Sequence, residues 1–440
     1  MTTLGARSWL PEASERIVRS VAACIAAAGP EAAEHALARL IAENRAIHER
    51  ICVNLNPASN VMNPAAEAVL AQGLGPRASL GYPGDKYEMG LEAIEQIEII
   101  AAELAAETFG APFVEIRVPS GSIANLFVFM AVARAGEIII APPPEIGGHV
   151  THHAAGAAGC YGAVTVPAPV DAESYTVDVA ALRADALRLR PKLITVGGSL
   201  NLFPHPLRAL RAIAEEVGAW VLFDAAHLSG MIAGHACQQP LEEGAHIMTM
   251  STYKSLGGPP SGLIVTNEAE LARRIEAIAH PGLTANFDVA KAAALAITLI
   301  DWKRHGRAYA ATMAATAEAL TAALAARGIP VFARARGATR SHQFAIEAAP
   351  FGGGQAAAKI LRQANILASG IGLPMPPVQG DLNGLRLGTP EIVRWGMGPA
   401  EMPELADYIA RALEKPDQAA ALAGDVTRFR QRFTSLHFVG

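Results

Sequence analysis

The sequence predicts an α/β fold: a large domain built on a mostly parallel sheet with helices on both faces, followed by a smaller C-terminal α+β domain. Three observations carry this. Short apolar runs alternate with amphipathic helical stretches from residue 113 onward, the signature of βαβ units. Runs such as EIIIA and WVLF are continuously apolar, as strands buried on both faces are. Polar residues stand just past the ends of successive runs, where an open parallel sheet holds its ligands.

The elements follow in order. Residues 30–50 (PEAAEHALARLIAENRAIHER) repeat apolar side chains at helical spacing and are expected to form an N-terminal helix. Residues 91–109 form a second, stopped by Gly110. FVEIRV (113–118) reads as a strand, then comes a Gly-Ser turn and the helical IANLFVFMAVARAG (123–136). EIIIAPPP (137–144), a segment at 149–159, GAVTVPAPV (162–170), a helix near 178–189 and KLITVGG (192–198) come next. A helix near 205–217, WVLFDAAH (220–227) and HIMTM (246–250) complete the alternation. A long helix near 301–327 opens the second domain, with strands expected near 330, 342–347 and 383–387. The expected division is 1–50 as a helical segment, 51–300 as the large domain and 301–440 as the small one.

Composition narrows the function. The chain has 440 residues, 51% hydrophobic and 18% charged, enough apolar material for a large core and too little charge for long disorder. A net charge of −5 without a long basic run excludes a nucleic-acid partner. Cys24, Cys52, Cys160 and Cys237 are scattered, so neither a disulfide framework nor a zinc ribbon is expected, and a reducing cytoplasm fits. VAACIAAAG (21–29) is too short to cross a bilayer, so no signal peptide or membrane span is expected. Residues 1–30 and 416–440 carry no chemical signal.

Lysine is scarce, seven against 29 arginines, yet Lys254 stands between HIMTM and the loop SLGGPPSG (255–262). A lysine kept from water loses stabilisation of its charge, its pKa falls, and it can form a Schiff base with a carbonyl. Pyridoxal 5′-phosphate needs such a lysine, an acid for its pyridine nitrogen and a cup for its phosphate. Asp224, at the end of WVLFD, is the candidate acid. Ser120, Gly121 and Ser122 open a helix after a strand, a natural anion site. Ser251 ends the strand before the lysine, and His149, after Gly147-Gly148, can stack on the ring. Plainer readings stand beside these. Asp224 alone could cap a helix, and His227 either packs on the cofactor or satisfies a core position. His149, His152 and His153 have metal-ligand spacing, but no carboxylate or cysteine stands nearby, so no metal is expected.

GYPGDKYEMG (81–90), PSGSIAN (119–125), GGHVTH (147–152), DAAHLSG (224–230), STYKSLGGPPSG (251–262) and LRLGTPEIVRWG (385–396) occur in one order. In that order they resemble the serine hydroxymethyltransferases, pyridoxal-phosphate enzymes of the aspartate aminotransferase fold, over about residues 50–415. The resemblance implies that Lys254 carries the cofactor, Asp224 pairs with its ring nitrogen and His227 lies beside it. It implies that His149 stacks on the ring, that Ser120, Gly121 and Ser122 hold the phosphate, and that Ser199 lies near the phenolic oxygen. Arg386 would pair with the substrate carboxylate, with Ser59 of NPASN as a second contact. It further implies a homodimer with shared active sites, HPGLTANF (280–287) lying near the neighbour's phosphate.

The departures are informative. The family's tyrosine and glutamate before Gly-Tyr-Pro-Gly are Ala78 and Leu80 here, and its second tyrosine after that motif is Glu88. Tyr253 replaces the histidine before the lysine, Pro260 an arginine after it, and Trp395 the second arginine of Arg-Arg-Gly. Leucine carries no proton, so the glutamate's part in folate-linked one-carbon transfer is missing. The expectation is therefore Cα–Cβ (retro-)aldol chemistry on a β-hydroxy-α-amino acid without folate, releasing an aldehyde as an aldolase or capturing a second aldehyde as a transaldolase. Glu88, His149 and Tyr253 are the candidate bases for the β-hydroxyl proton. Two enzymatic alternatives remain: folate-dependent hydroxymethyl transfer on serine or its α-methyl analogue with Glu88 substituting, or another outcome such as decarboxylation, racemisation, transamination or oxidation by oxygen. A cofactor-binding protein without turnover is the non-enzymatic alternative.

Overall fold

The computed structural model describes residues 3–440, which divide into two compact units, 3–52 and 53–440. In the first, α1 (Glu12–Ala27) carries Glu12 and Glu15 in its first turn, where they complement the helix dipole. Next, α2 (Pro30–Ala46) begins on proline, whose missing N–H costs nothing at that position. The helix expected over 30–50 ends as regular α-helix at Ala46, and a wider turn carries Ile47–Ile51.

In the second unit, α3 (Glu92–Phe109) is ended by Gly110 at φ 60°, a left-handed conformation that glycine adopts without penalty. The central sheet has seven strands: β1 (Phe113–Val118), β2 (Ile138–Ala141), β3 (Val164–Pro167), β4 (Leu193–Gly197), β5 (Trp220–Asp224), β6 (Ile247–Ser251) and β7 (Gly262–Thr266). Their spatial order is β1-β7-β6-β5-β4-β2-β3. Only β7 runs antiparallel to its neighbours. It lies in a stretch that the sequence reading left without an element, just after the Gly-Pro loop. Side chains alternate across the sheet. Val221, Phe223, Ile194, Val196, Met248 and Met250 pack into one core. Leu222, Leu193 and Ile247 face a second core, built largely on α4 (Gly121–Val132) through Phe127, Val128 and Phe129.

The helix expected at about 301–327 runs from Val289 to Ala326 (α5). Its first turns, VAKAAALAITLI, are largely buried and lack an amphipathic stripe, so periodicity did not reveal them. The expected boundary at 300/301 falls inside this helix, and residues 53–440 form one unit. A three-stranded antiparallel sheet follows, with β8 (Gln343–Glu347), β9 (Ser369–Ile371) and β10 (Gly384–Gly388) in the order β8-β10-β9. Near residue 330 there is a single bridge, Val331 to Ile346, instead of a strand. Among the described residues no helix is long and apolar enough to cross a membrane.

Candidate active site

Strands β1, β4, β5 and β6 end on one side of the sheet, and the residues after them meet there. Ser120, Gly121, Ser122, Asn125, His149, Ser199, Asp224, His227, Ser251, Tyr253 and Lys254 line one small, partly enclosed cavity.

Lys254 sits three residues beyond β6. Its loop is pinned on both sides. Asn60 Nδ2 donates to the Lys254 carbonyl at 3.1 Å, and the Ser255 hydroxyl donates to the His227 carbonyl at 2.6 Å. Thr252 Oγ1 donates to the Ser261 carbonyl, and Gly257 takes φ 69° to turn the chain. The amine itself is buried and has no hydrogen-bond partner among the described residues; it lies 5.9 Å from the Tyr253 ring centre. Burial pushes its pKa down to about 8, Asp224 pulling it up and Arg386 pushing it further down.

Asp224 is 2% exposed. One carboxylate oxygen accepts from His152 Nε2 at 2.8 Å and from Asn125 Nδ2 at 3.0 Å; the other accepts the Ala226 N–H at 3.0 Å. Burial alone would raise its pKa, but the bond and charge of His152 and the Ala226 N–H hold it well below the usual carboxylate range. His152 and Asn125 were not assigned to Asp224 from sequence. Both lie inside quoted motifs, GGHVTH and PSGSIAN, which was the available signal.

The turn at Ser120–Ser122 is built by packing. Ser120 is extended, and its hydroxyl accepts the Ile123 N–H at 3.2 Å, capping α4. A Cβ on Gly121 would collide with Ser251 Oγ, so glycine is what lets the helix N-terminus approach β6. His149 Nδ1 accepts the Thr151 N–H, and burial lowers its pKa. The three histidines of the metal reading point to separate partners: His149 to Thr151, His152 to Asp224 and His153 to the Pro142 carbonyl.

Arg386, on β10, borders the cavity. Its Nη1 donates to the Ser199 carbonyl at 2.6 Å, and Nη2 donates to Ser369 Oγ at 3.0 Å. No acidic side chain pairs with it among the described residues, although it is 7% exposed. Burial pushes its pKa down to about 10. A buried cation without a counter-charge costs several kcal/mol, and an anionic ligand relieves it. Three expected residues are not part of the cavity lining: Arg386 meets it only through the Ser199 carbonyl, and Ser59 and Glu88 lie elsewhere. Ser59 Oγ accepts from Asn54 Nδ2 at 3.0 Å, and Glu88 Oε2 accepts the Leu80 N–H at 3.4 Å, outside this chain's own cavity.

An unpartnered buried amine, an ionised buried acid and a capped helix N-terminus fit a phosphorylated pyridine aldehyde. The comparison with known proteins decides the family. A model described as serine hydroxymethyltransferase matches residues 31–409. The chain belongs to the serine hydroxymethyltransferase family. It is 64% identical over 433 residues to an alpha-methylserine aldolase of Variovorax paradoxus, covering 98% of each chain. An alpha-methylserine aldolase of a Ralstonia species is 58% identical over 436 residues, covering 99% of this chain and 100% of the relative. A serine hydroxymethyltransferase of Pyrobaculum arsenaticum is 36% identical over 389 residues, covering 88% and 90%. The chain is a pyridoxal-phosphate enzyme of this family.

Proposed function

We propose that this chain breaks the Cα–Cβ bond of an α-methyl-β-hydroxy-α-amino acid, α-methylserine first among them, giving formaldehyde and alanine without folate. The charge pattern of the cavity carries this reading. Lys254 and Arg386 are buried, neither is paired with an acid among the described residues, and Asp224 beside them is held ionised. Similarity to two alpha-methylserine aldolases over nearly the whole chain supports it.

Lys254 would carry the cofactor, with Asp224 at the ring nitrogen, His149 and His227 beside the ring and Ser199 near its phenolic oxygen. Ser120, Gly121, Ser122 and Ser251 would hold the phosphate. When bound, the cofactor supplies an electron sink for the pair left on Cα. The residues do the selecting. An α-methyl substrate has no Cα proton, so only the bonds to the carboxylate and to the hydroxymethyl carbon can compete. Arg386 would grip the carboxylate with its planar fork, and that grip disfavours decarboxylation. A base must take the β-hydroxyl proton. His149 Nδ1 is occupied by a backbone N–H, which leaves its other nitrogen protonated and makes it a poor base. Glu88 is the better candidate, because its carboxylate lies against the backbone of Leu80, where the family's glutamate is missing. The Lys254 amine, whose pKa burial lowers to about 8, would return a proton to Cα.

Glu88 would act from the partner subunit of a cytoplasmic homodimer. Tyr82, Tyr87 and Met89 around it are exposed, as is Leu283 in the 280–287 segment, which favours a covering neighbour. Purified enzyme should release formaldehyde from α-methylserine equally with and without tetrahydrofolate. Serine turnover strictly dependent on tetrahydrofolate, with α-methylserine inert, would overturn the reading.

A further inference from the structure

Gln343 lies on β8, 116 residues from His227 in the chain, and is fully buried. Its amide meets two backbone groups whose roles cannot be exchanged. The oxygen accepts the Asn201 N–H at 3.2 Å, and the nitrogen donates to the Ser199 carbonyl at 3.2 Å. The orientation of the amide is thereby settled. Its remaining N–H meets Nδ1 of His227 at 3.1 Å. Facing a donor, Nδ1 must be the unprotonated nitrogen, and the ring's proton belongs on Nε2.

We propose that Gln343 is a positioning residue that locks His227 as a neutral imidazole with its proton on Nε2. His227 then presents the cavity with a hydrogen-bond donor and cannot serve as a base. The same amide braces Ser199, whose carbonyl also receives Arg386, so the donor and the carboxylate grip share one support. The charges around His227 agree with a neutral ring. Burial, Lys254, Arg386, His342 and His149 all oppose a second proton. Asp224, the acid lining the same cavity, is already engaged by His152 and Asn125.

The proposal rests on this cavity being the reactive site, but the tautomer is read without substrate, so it can fail independently of the aldolase reading. The test is nitrogen NMR of [15N]histidine-labelled holoenzyme, with His227 assigned by its loss in His227→Gln. Wild-type His227 should show unprotonated Nδ1 and protonated Nε2, unchanged from about pH 6 to about pH 9. Gln343→Glu should place a proton on Nδ1. There kcat/KM should fall roughly tenfold on the alkaline side, as the new imidazolium loses its Nε2 proton and the donor is lost. Gln343→Met, similar in volume but without an amide, should give mixed tautomers and a smaller loss. A wild-type His227 protonated on Nδ1, or titrating in that range, overturns the proposal. So does a Gln343→Glu or Gln343→Met enzyme whose His227 nitrogens match wild type. Should Gln343→Glu fail to fold, the wild-type spectrum and Gln343→Met decide.

Discussion

The cavity and the 78–90 shoulder are opposite kinds of structure. Around Lys254, the polar groups Asn125, Asp224, His227 and Ser251 are buried, and loops pinned by hydrogen bonds hold the lysine. Around Glu88, Tyr87 is 79% exposed and Met89 83% exposed. Yet the shoulder has a firm root. Lys86 and Glu98 form a buried ion pair at 2.7 Å, Ser79 Oγ donates to Glu98 at 2.5 Å, and the Ser79 N–H donates to Asn286 of the 280–287 segment. The difference teaches where change in this family is cheap. The polar groups around Asp224 and His227 are interlocked, so altering one residue orphans several buried groups. The shoulder presents side chains outward from a fixed base, and there Ala78, Leu80 and Glu88 replace the family's usual residues.

The most severe test of that contrast exchanges residues between the two regions. Glu88→Gln should lower kcat about 10²-fold, the usual scale for losing a general base. Lys254→Ala subunits should be inactive. Mixed dimers of the two variants should regain activity, because one site in each hybrid would combine an intact Lys254 with Glu88 of the partner subunit. Mixtures no more active than Glu88→Gln alone would place both groups in one subunit's site, or remove Glu88 from the chemistry.

A smaller effect is expected at the cavity's rim. Arg386→Lys keeps the charge but loses the fork, so KM should rise roughly 10-fold or more while kcat changes less. Initial rates at varied substrate separate the two. A fall in kcat with KM unchanged would mean that Arg386 acts on the breaking bond and not on the carboxylate.

Much of the cavity was legible because its residues stand at chain positions that the fold class singles out. Asp224 ends its strand, and Ser120, Ser199 and Lys254 stand just past theirs; open sheets collect such residues at one edge. Other parts were hidden for physical reasons. Gln343 reaches His227 only through packing of the small sheet on the large one. His152 showed only its spacing to His149 and His153 in the sequence, while its partner Asp224, 72 residues away, was not visible there. The start of α5 is buried almost all round, so it carried no period. The place of Glu88 depends on the hairpin formed by Gly81–Tyr82 and Asp85–Lys86, which spacing does not encode.

The smallest expected effect is on stability. Lys254 has its pKa lowered to about 8 in the folded apoenzyme, against 10.5 for an ordinary lysine. Between these values the unfolded chain binds more protons, so this group's contribution to stability rises with pH across that window. Below it, the penalty for burying the charge is fully present. Apo Lys254→Met should therefore melt above wild type at neutral pH, by a few degrees or less, with the gap narrowing as pH rises from about 8 to about 10.5. A gap that is constant or widens would show that the amine is not destabilised by burial. This measurement probes the cavity alone, since the shoulder contributes nothing to it.

The central claim is that the amine at position 254, and no other, carries the cofactor. Borohydride reduction of the holoenzyme followed by peptide mapping tests it directly. The account expects one pyridoxyl label per chain, on the peptide containing Lys254, and none in Lys254→Ala. A label on any of the other six lysines in the chain, or a holoenzyme that releases all its cofactor unreduced, would contradict it.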